Sequence, residues 1–94
     1  MKIRWTGRAL AAVANLHEYI AKDNPSAADQ MRDRVLGFVE TKLADHPSIG
    51  RPGRVDGTRE SVVHPSYIIV YRVKAQTVEI LTVRHVAQKW PDQF

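Results

Sequence analysis

The chain contains no cysteine. That excludes a disulfide framework and any zinc site built on thiolates, and it fits a reducing compartment, so a cytoplasmic location is expected. Long apolar runs are missing too. The stretch from Ala9 to Ala14 falls far short of the roughly 20 residues that a membrane-spanning helix needs. Arg4, Arg8 and Glu18 surround it, so it does not read as a signal peptide, and no membrane partner is expected. His17, His46, His64 and His85 are scattered over helix, loop and turn, without the spacing of metal ligands. No glycine-rich loop opens a helix; the glycines of Gly50-Arg51-Pro52-Gly53 read as turn formers. No carboxylate pair stands at catalytic spacing, and Glu60 and Glu79 read as cross-strand partners of arginines. Neither a metal nor a cofactor is expected. Repeats, linkers and low-complexity segments are absent, and 94 residues make one domain spanning 1–94.

What is present is charge of one sign and two clear periodicities. The formal net charge is +4, which favours anionic partners such as nucleic acid or an acidic protein. Lys2 to Trp5 alternates and reads as a short strand. Thr6 is a helix N-cap, after which Leu10, Val13, Leu16 and Ile20 recur at helical spacing. Asn24 caps a second helix and Pro25 suits its first turn; Met31, Val35, Val39 and Leu43 form its apolar stripe. Gly37 weakens that helix, and close approach of the first helix is one reason to have it there. The helices are expected near Gly7–Lys22 and Pro25–Asp45, as an antiparallel hairpin.

From Gly50 onward the period changes to two. Ser48 to Gly57 reads as a loop with a short strand around Arg54-Val55, and Asp56-Gly57 as a tight turn. Arg59 to His64, Tyr67 to Val73 and Thr77 to Arg84 read as strands, separated by His64-Pro65-Ser66 and Lys74-Ala75-Gln76. Short connections make this part of the sheet antiparallel. Trp90-Pro91 is expected to pack back on the domain. The order is β-α-α-β-β-β, an α+β fold with a helical hairpin on one face of a sheet. The expected core holds Leu10, Val13, Leu16, Ile20, Met31, Val35, Val39, Ile69, Tyr71, Ile80 and Val83, or their neighbours on the same stripe.

Arg72 stands out, because a charge inside an apolar strand must reach solvent or a carboxylate. By alternation it shares a face with Ile68 and Val70, opposite Tyr67, Ile69, Tyr71 and Val73. The periodicity does not decide which face the helices cover. If they cover the tyrosines, then Ile68, Val70 and Arg72 form an open apolar patch with one charge, suited to a protein partner. Arg51, Arg54 and Arg59 lie in and beside one loop and read as an anion-facing rim, with Arg84 as a further target-binding cation.

The order Ile3–Thr6, Asp23-Asn24-Pro25 with Ala27-Ala28, then GRPGRV-GTRE, YIIVYRV, VEIL and the late His85 with Trp90-Pro91 resembles the RelE/ParE superfamily of bacterial toxins from type II toxin–antitoxin modules. The resemblance covers nearly the whole chain and implies the same helical hairpin on a sheet. It implies one of two activities: RelE-like members cleave mRNA in the ribosomal A site, and ParE-like members act on DNA gyrase. Both are neutralised by an antitoxin laid across the toxin. By this likeness Val63, Ile68 and Val86 occupy places where RelE-like nucleases carry cations, and only His85 matches a catalytic position. The resemblance therefore leans to ParE, with gyrase as target, Ile68, Val70 and Arg72 as antitoxin contacts, and Arg51, Arg54, Arg59 and Arg84 as target contacts. The alternatives are a ribosome-dependent mRNA endonuclease using His85 and a degenerate member that only binds antitoxin.

Overall fold

The computed structural model describes residues 1–88. The expected packing of Trp90-Pro91 lies outside the described residues. Strand β1 (Lys2–Trp5) leads into helix α1 (Gly7–Ala21) and helix α2 (Pro25–Phe38); four strands follow, β2 (Arg51–Pro52), β3 (Arg59–His64), β4 (Tyr67–Lys74) and β5 (Thr77–His85). The sheet order is β1-β5-β4-β3-β2. Strands β2 to β5 pair antiparallel, and β1 lies parallel to β5 along its outer edge.

Local chemistry fixes the helix starts. The Thr6 hydroxyl accepts from the Ala9 N–H at 3.2 Å and donates to the Ile80 carbonyl at 2.7 Å. One side chain thus caps α1 and ties its start to β5. The Asn24 side chain accepts from the Ala27 N–H at 3.0 Å, with Pro25 in the first turn. Across the helix pair, His17 Nε2 meets Asp29 Oδ1 at 2.7 Å. That hydrogen bond, reinforced by Arg32, holds the exposed Asp29 carboxyl below its ordinary pKa.

The winding continues past Phe38, but as a π-helical turn over Val39–Leu43, and it reaches Asp45. The apolar spacing explains the change. Val35, Val39 and Leu43 are four apart and all fully buried. In an α-helix each step of four overshoots by roughly 40° at 100° per residue; a π turn winds less per residue and takes that drift back. Gly37 has nothing within 4 Å of where a Cβ would stand, so it serves no close helix approach.

The helices cover the tyrosine face of the sheet. Val13, Leu16, Val35, Val39 and Leu43 pack with Ile69, Tyr71, Val78, Ile80 and Val83, and Ile20 and Met31 join at the margin. Leu10 is not in this core; it is 56% exposed. Ala9 takes its place at the head of the stripe, one residue earlier and still four before Val13. Between β4 and β5 the register slips: Val70 faces Thr82 while Tyr71 faces Ile80. The extra residue, Leu81, forms a second small cluster with Ile68 and Val70, on the face away from the helices.

The loop before β3 differs from expectation in one detail. Its short strand is Arg51–Pro52, paired with Glu60 and Arg59, and not Arg54-Val55. The Gly53 N–H donates to the Thr58 carbonyl at 2.8 Å, which closes the chain into a turn before residue 54 can extend. A Cβ on Gly53 would stand 2.0 Å from the Thr58 hydroxyl, so only glycine fits that closure. Among the described residues no helix is long and apolar enough to cross a membrane.

Candidate functional site

The face of the sheet away from the helices carries the charges. Register places Arg72 opposite Glu79, and Glu79 opposite Arg4 on the other side. Arg72 Nε donates to Glu79 Oε1 at 2.6 Å, and Arg4 donates to Glu79 Oε2. The hydrogen bond from Arg72 is the main cause that holds the Glu79 carboxyl below its ordinary pKa, with Arg4 adding to it. One strand along, Arg51 bonds Glu60 at 3.2 Å, and the Arg54 backbone N–H donates to the same carboxylate at 2.7 Å. The Glu60 side chain is only 1% exposed, whereas that of Arg51 is 57% exposed. On this face the two acids are covered, while Arg4 and Arg51 point outward. The reading of Glu60 and Glu79 as cross-strand partners of arginines holds.

The three arginines expected to form one rim, Arg51, Arg54 and Arg59, and the further cation Arg84 lie on different surfaces. Arg51 is on the sheet face just described. Arg59 is opposite Tyr71 in register, on the helix side, where its guanidinium donates to the Gly50 carbonyl at 2.7 Å and braces the loop. Arg54 is exposed in the 53–57 turn. Arg84 lies opposite Ile68, half-buried, and burial together with the nearby Arg8 lowers its pKa.

The expected antitoxin contacts also need correction in their exposure. Ile68 and Val70 share the face with Arg72, but they are 3% and 0% exposed, so they present no open apolar patch. They form a small buried cluster with Leu81. Arg72 is half-buried against Glu79.

His85 sits on the helix side of β5. It faces Tyr67 in register, with the two rings edge to face at 5.3 Å. Its Nδ1 accepts from the Ala87 N–H at 3.1 Å. His64 lies on the other flank of Tyr67, at 6.1 Å between ring centroids, and its Nδ1 accepts from the Ser66 N–H at 3.0 Å. Burial, with Tyr19 nearby, raises the Tyr67 pKa, so this phenol keeps its proton. Val63 faces the core and is buried, while Val62 and Val86 are exposed. Among the described residues no group of acidic or histidine side chains could hold a metal ion.

Three cations on the sheet face, Lys2, Arg4 and Lys74, were not singled out by sequence reasoning. Their alternation with apolar neighbours was visible in Lys2-Ile3-Arg4-Trp5 and Arg72-Val73-Lys74. What was hidden is the parallel pairing of β1 that sets them beside Arg72.

Residues 3–90 match the family profile described as ParE toxin of type II toxin–antitoxin system, parDE. The chain is 47% identical over 91 residues to the Sinorhizobium fredii protein Y4kP, covering 96% of this chain and 93% of that one. It is 37% identical over 87 residues to the toxin RelE2 of Caulobacter vibrioides, covering 93% and 97% respectively. Among solved structures, the chromosomal ParDE toxin–antitoxin system of P. aeruginosa superposes with a TM-score of 0.79 over 92% of this chain and 96% of that one, at 24% identity, which shows a shared fold.

Proposed function

The chain belongs to the ParE toxin family of type II toxin–antitoxin systems, and from that premise we propose that it arrests growth by engaging DNA gyrase and is held silent by a cognate antitoxin. The observation that carries the choice of gyrase over mRNA cleavage is the placement of Arg84 and His85. Metal-free RNA cleavage needs an acid–base group and cations converging on one phosphate. Neighbours on a strand point to opposite faces: His85 packs on Tyr67 at the helix side, while Arg84 stands across from Ile68 on the other side. They do not converge, and the positions that the resemblance assigns to further cations hold Val63, which is buried in the core, and Ile68. An apolar side chain cannot stabilise a developing phosphorane.

The antitoxin is proposed to be acidic and to cross the sheet face at Arg72, beside Ile68 and Val70, with Arg51, Arg54 and Arg84 proposed as contacts to the target. Arg59 acts there as a brace of the loop that presents Arg51. The test is direct. Purified protein is expected to inhibit gyrase supercoiling or trap DNA breaks, and Arg51→Glu with Arg54→Glu to weaken that effect most at low salt, where surface charge is least screened. Co-expression of the product of an adjacent reading frame is expected to relieve toxicity. A-site cleavage of mRNA by the purified protein, lost in His85→Ala, would overturn this reading in favour of the endonuclease.

A further inference from the structure

We infer that the sheet face away from the helices binds the phosphate backbone of double-stranded DNA, through a rectangle of cations made by Lys2, Arg4, Arg72 and Lys74. The inference stands on charge placement and not on the identity of the toxin's target. Register sets the geometry. Lys2 and Lys74 both face Thr77, one from each side, and Arg4 and Arg72 both face Glu79. Two strand spacings separate the members of each row by about 10 Å, and two residues along a strand separate the rows by about 7 Å. Lys2, Arg4 and Lys74 are exposed, and the Arg72 side chain is 42% exposed. Glu79, the one acid within the rectangle, is covered at 11% side-chain exposure and engaged by both arginines. Three positive charges remain uncompensated.

The charge is also segregated. The same face adds Arg51 and Arg84, and its second acid is the buried Glu60. Six cations and two acids therefore lie there, a net formal charge of +4 on this face.

The kind of anion follows from what the face does not offer. Single-stranded nucleic acid is held by stacking its bases on aromatic rings. Among the described residues, Trp5, Tyr67 and Tyr71 belong to or pack on the helix-side core, Phe38 packs there as well, and Tyr19 is on α1. No tyrosine, tryptophan or phenylalanine of the described strands is on the charged face. That leaves phosphates, read without sequence. The rectangle presents two ranks of cations and suits a duplex, whose two strands present phosphates in ranks.

The experiment is fluorescence anisotropy of a labelled 20-base-pair DNA duplex with the full chain, from about 50 to about 200 mM KCl. Binding independent of sequence is expected, with a slope of log K against log salt of about −3 or steeper, since each neutralised phosphate contributes about −0.9. Lys2→Gln with Lys74→Gln, both exposed and harmless to packing, is expected to make the slope shallower by about 2. Arg34→Gln, on the exposed side of α2, is expected to leave it unchanged. No duplex binding at the lowest salt would overturn the inference. So would tighter binding of a 20-nucleotide single-stranded RNA or of a 20-residue polyglutamate, or a slope indifferent to Lys2 and Lys74. None of these results bears on growth arrest or antitoxin rescue, which test the toxin reading separately.

Discussion

Gly50 lies against the phenol of Tyr71: its N–H donates to the Tyr71 hydroxyl at 2.9 Å, and a Cβ there would stand 2.5 Å from the same oxygen. The hydroxyl in turn donates to the Pro47 carbonyl at 2.7 Å. A fully buried tyrosine thus anchors the loop between α2 and β2, and the loop can approach only because residue 50 has no side chain.

Tyr71→Phe is expected to cost about 1–3 kcal/mol, because the Gly50 N–H and the Pro47 carbonyl lose their shared partner. Gly50→Ala is expected to destabilise as well. The double variant is expected to lose less than the sum of the two, since the alanine clashes mainly with the oxygen that phenylalanine lacks. Denaturant titration of the four proteins measures this coupling; strict additivity would mean that the two residues act independently.

Glu79 makes stability depend on pH. Its folded pKa is held below the ordinary value of 4.5 by Arg72 and Arg4. The sign is that of a depressed carboxylate: its contribution is present above 4.5 and is lost as pH falls through the lower folded value. Melting curves between about pH 7 and about pH 2 are expected to show a steep acid limb. In Glu79→Gln that limb is expected to be shallower, and the melting temperature at neutral pH lower.

The β4–β5 hairpin turns through Ala75 and Gln76, with φ of 50° and 62°. Both are left-handed, as a two-residue type I′ turn requires, yet neither residue is one that favours it. Replacing the pair by Asn-Gly is expected to stabilise by about 1 kcal/mol, read as a rise in melting temperature of roughly 4–8 °C.

Gly37→Ala is expected to stabilise by up to about 1 kcal/mol. The added methyl meets open space, so helix propensity is the only effect in play. A loss of stability in chemical denaturation would reveal a packing role that the open surroundings of Gly37 do not suggest.

The helical hairpin was legible because its signals are local. Thr6, Asn24 and Pro25 mark starts, and the stripes through Val13 and Val35 mark the buried sides. Alternation along Tyr67–Val73 separated the two faces of β4 correctly, although it could not say which one the helices would cover. What stayed hidden is non-local. Four alternating residues in β1 do not name their partner strand. Leu10 and Ala9 are both helically spaced from the next core residue, and the larger side chain suggested the wrong one. Arg59 looked like a surface charge because the carbonyls it binds, at Ser48 and Gly50, lie in a loop whose path no periodicity encodes. Ile68 and Val70 cluster with Leu81, the extra residue of a bulge, which a regular alternation cannot show.

The parallel pairing of β1 with β5 also sets an order of events when the chain is made. Arg4 and Glu79, joined in the finished sheet, are 75 residues apart in sequence. Strand β1 is synthesised before β5 and cannot pair with it until β5 has been made. The helical hairpin and the β3–β4 hairpin, built from near neighbours, can form in the meantime. Closing that most distant contact carries the largest loop-closure entropy cost of the sheet's pairings. The Lys2–Lys74 surface does not exist before it closes, so the property of the finished face depends on the most distant pairing in the chain.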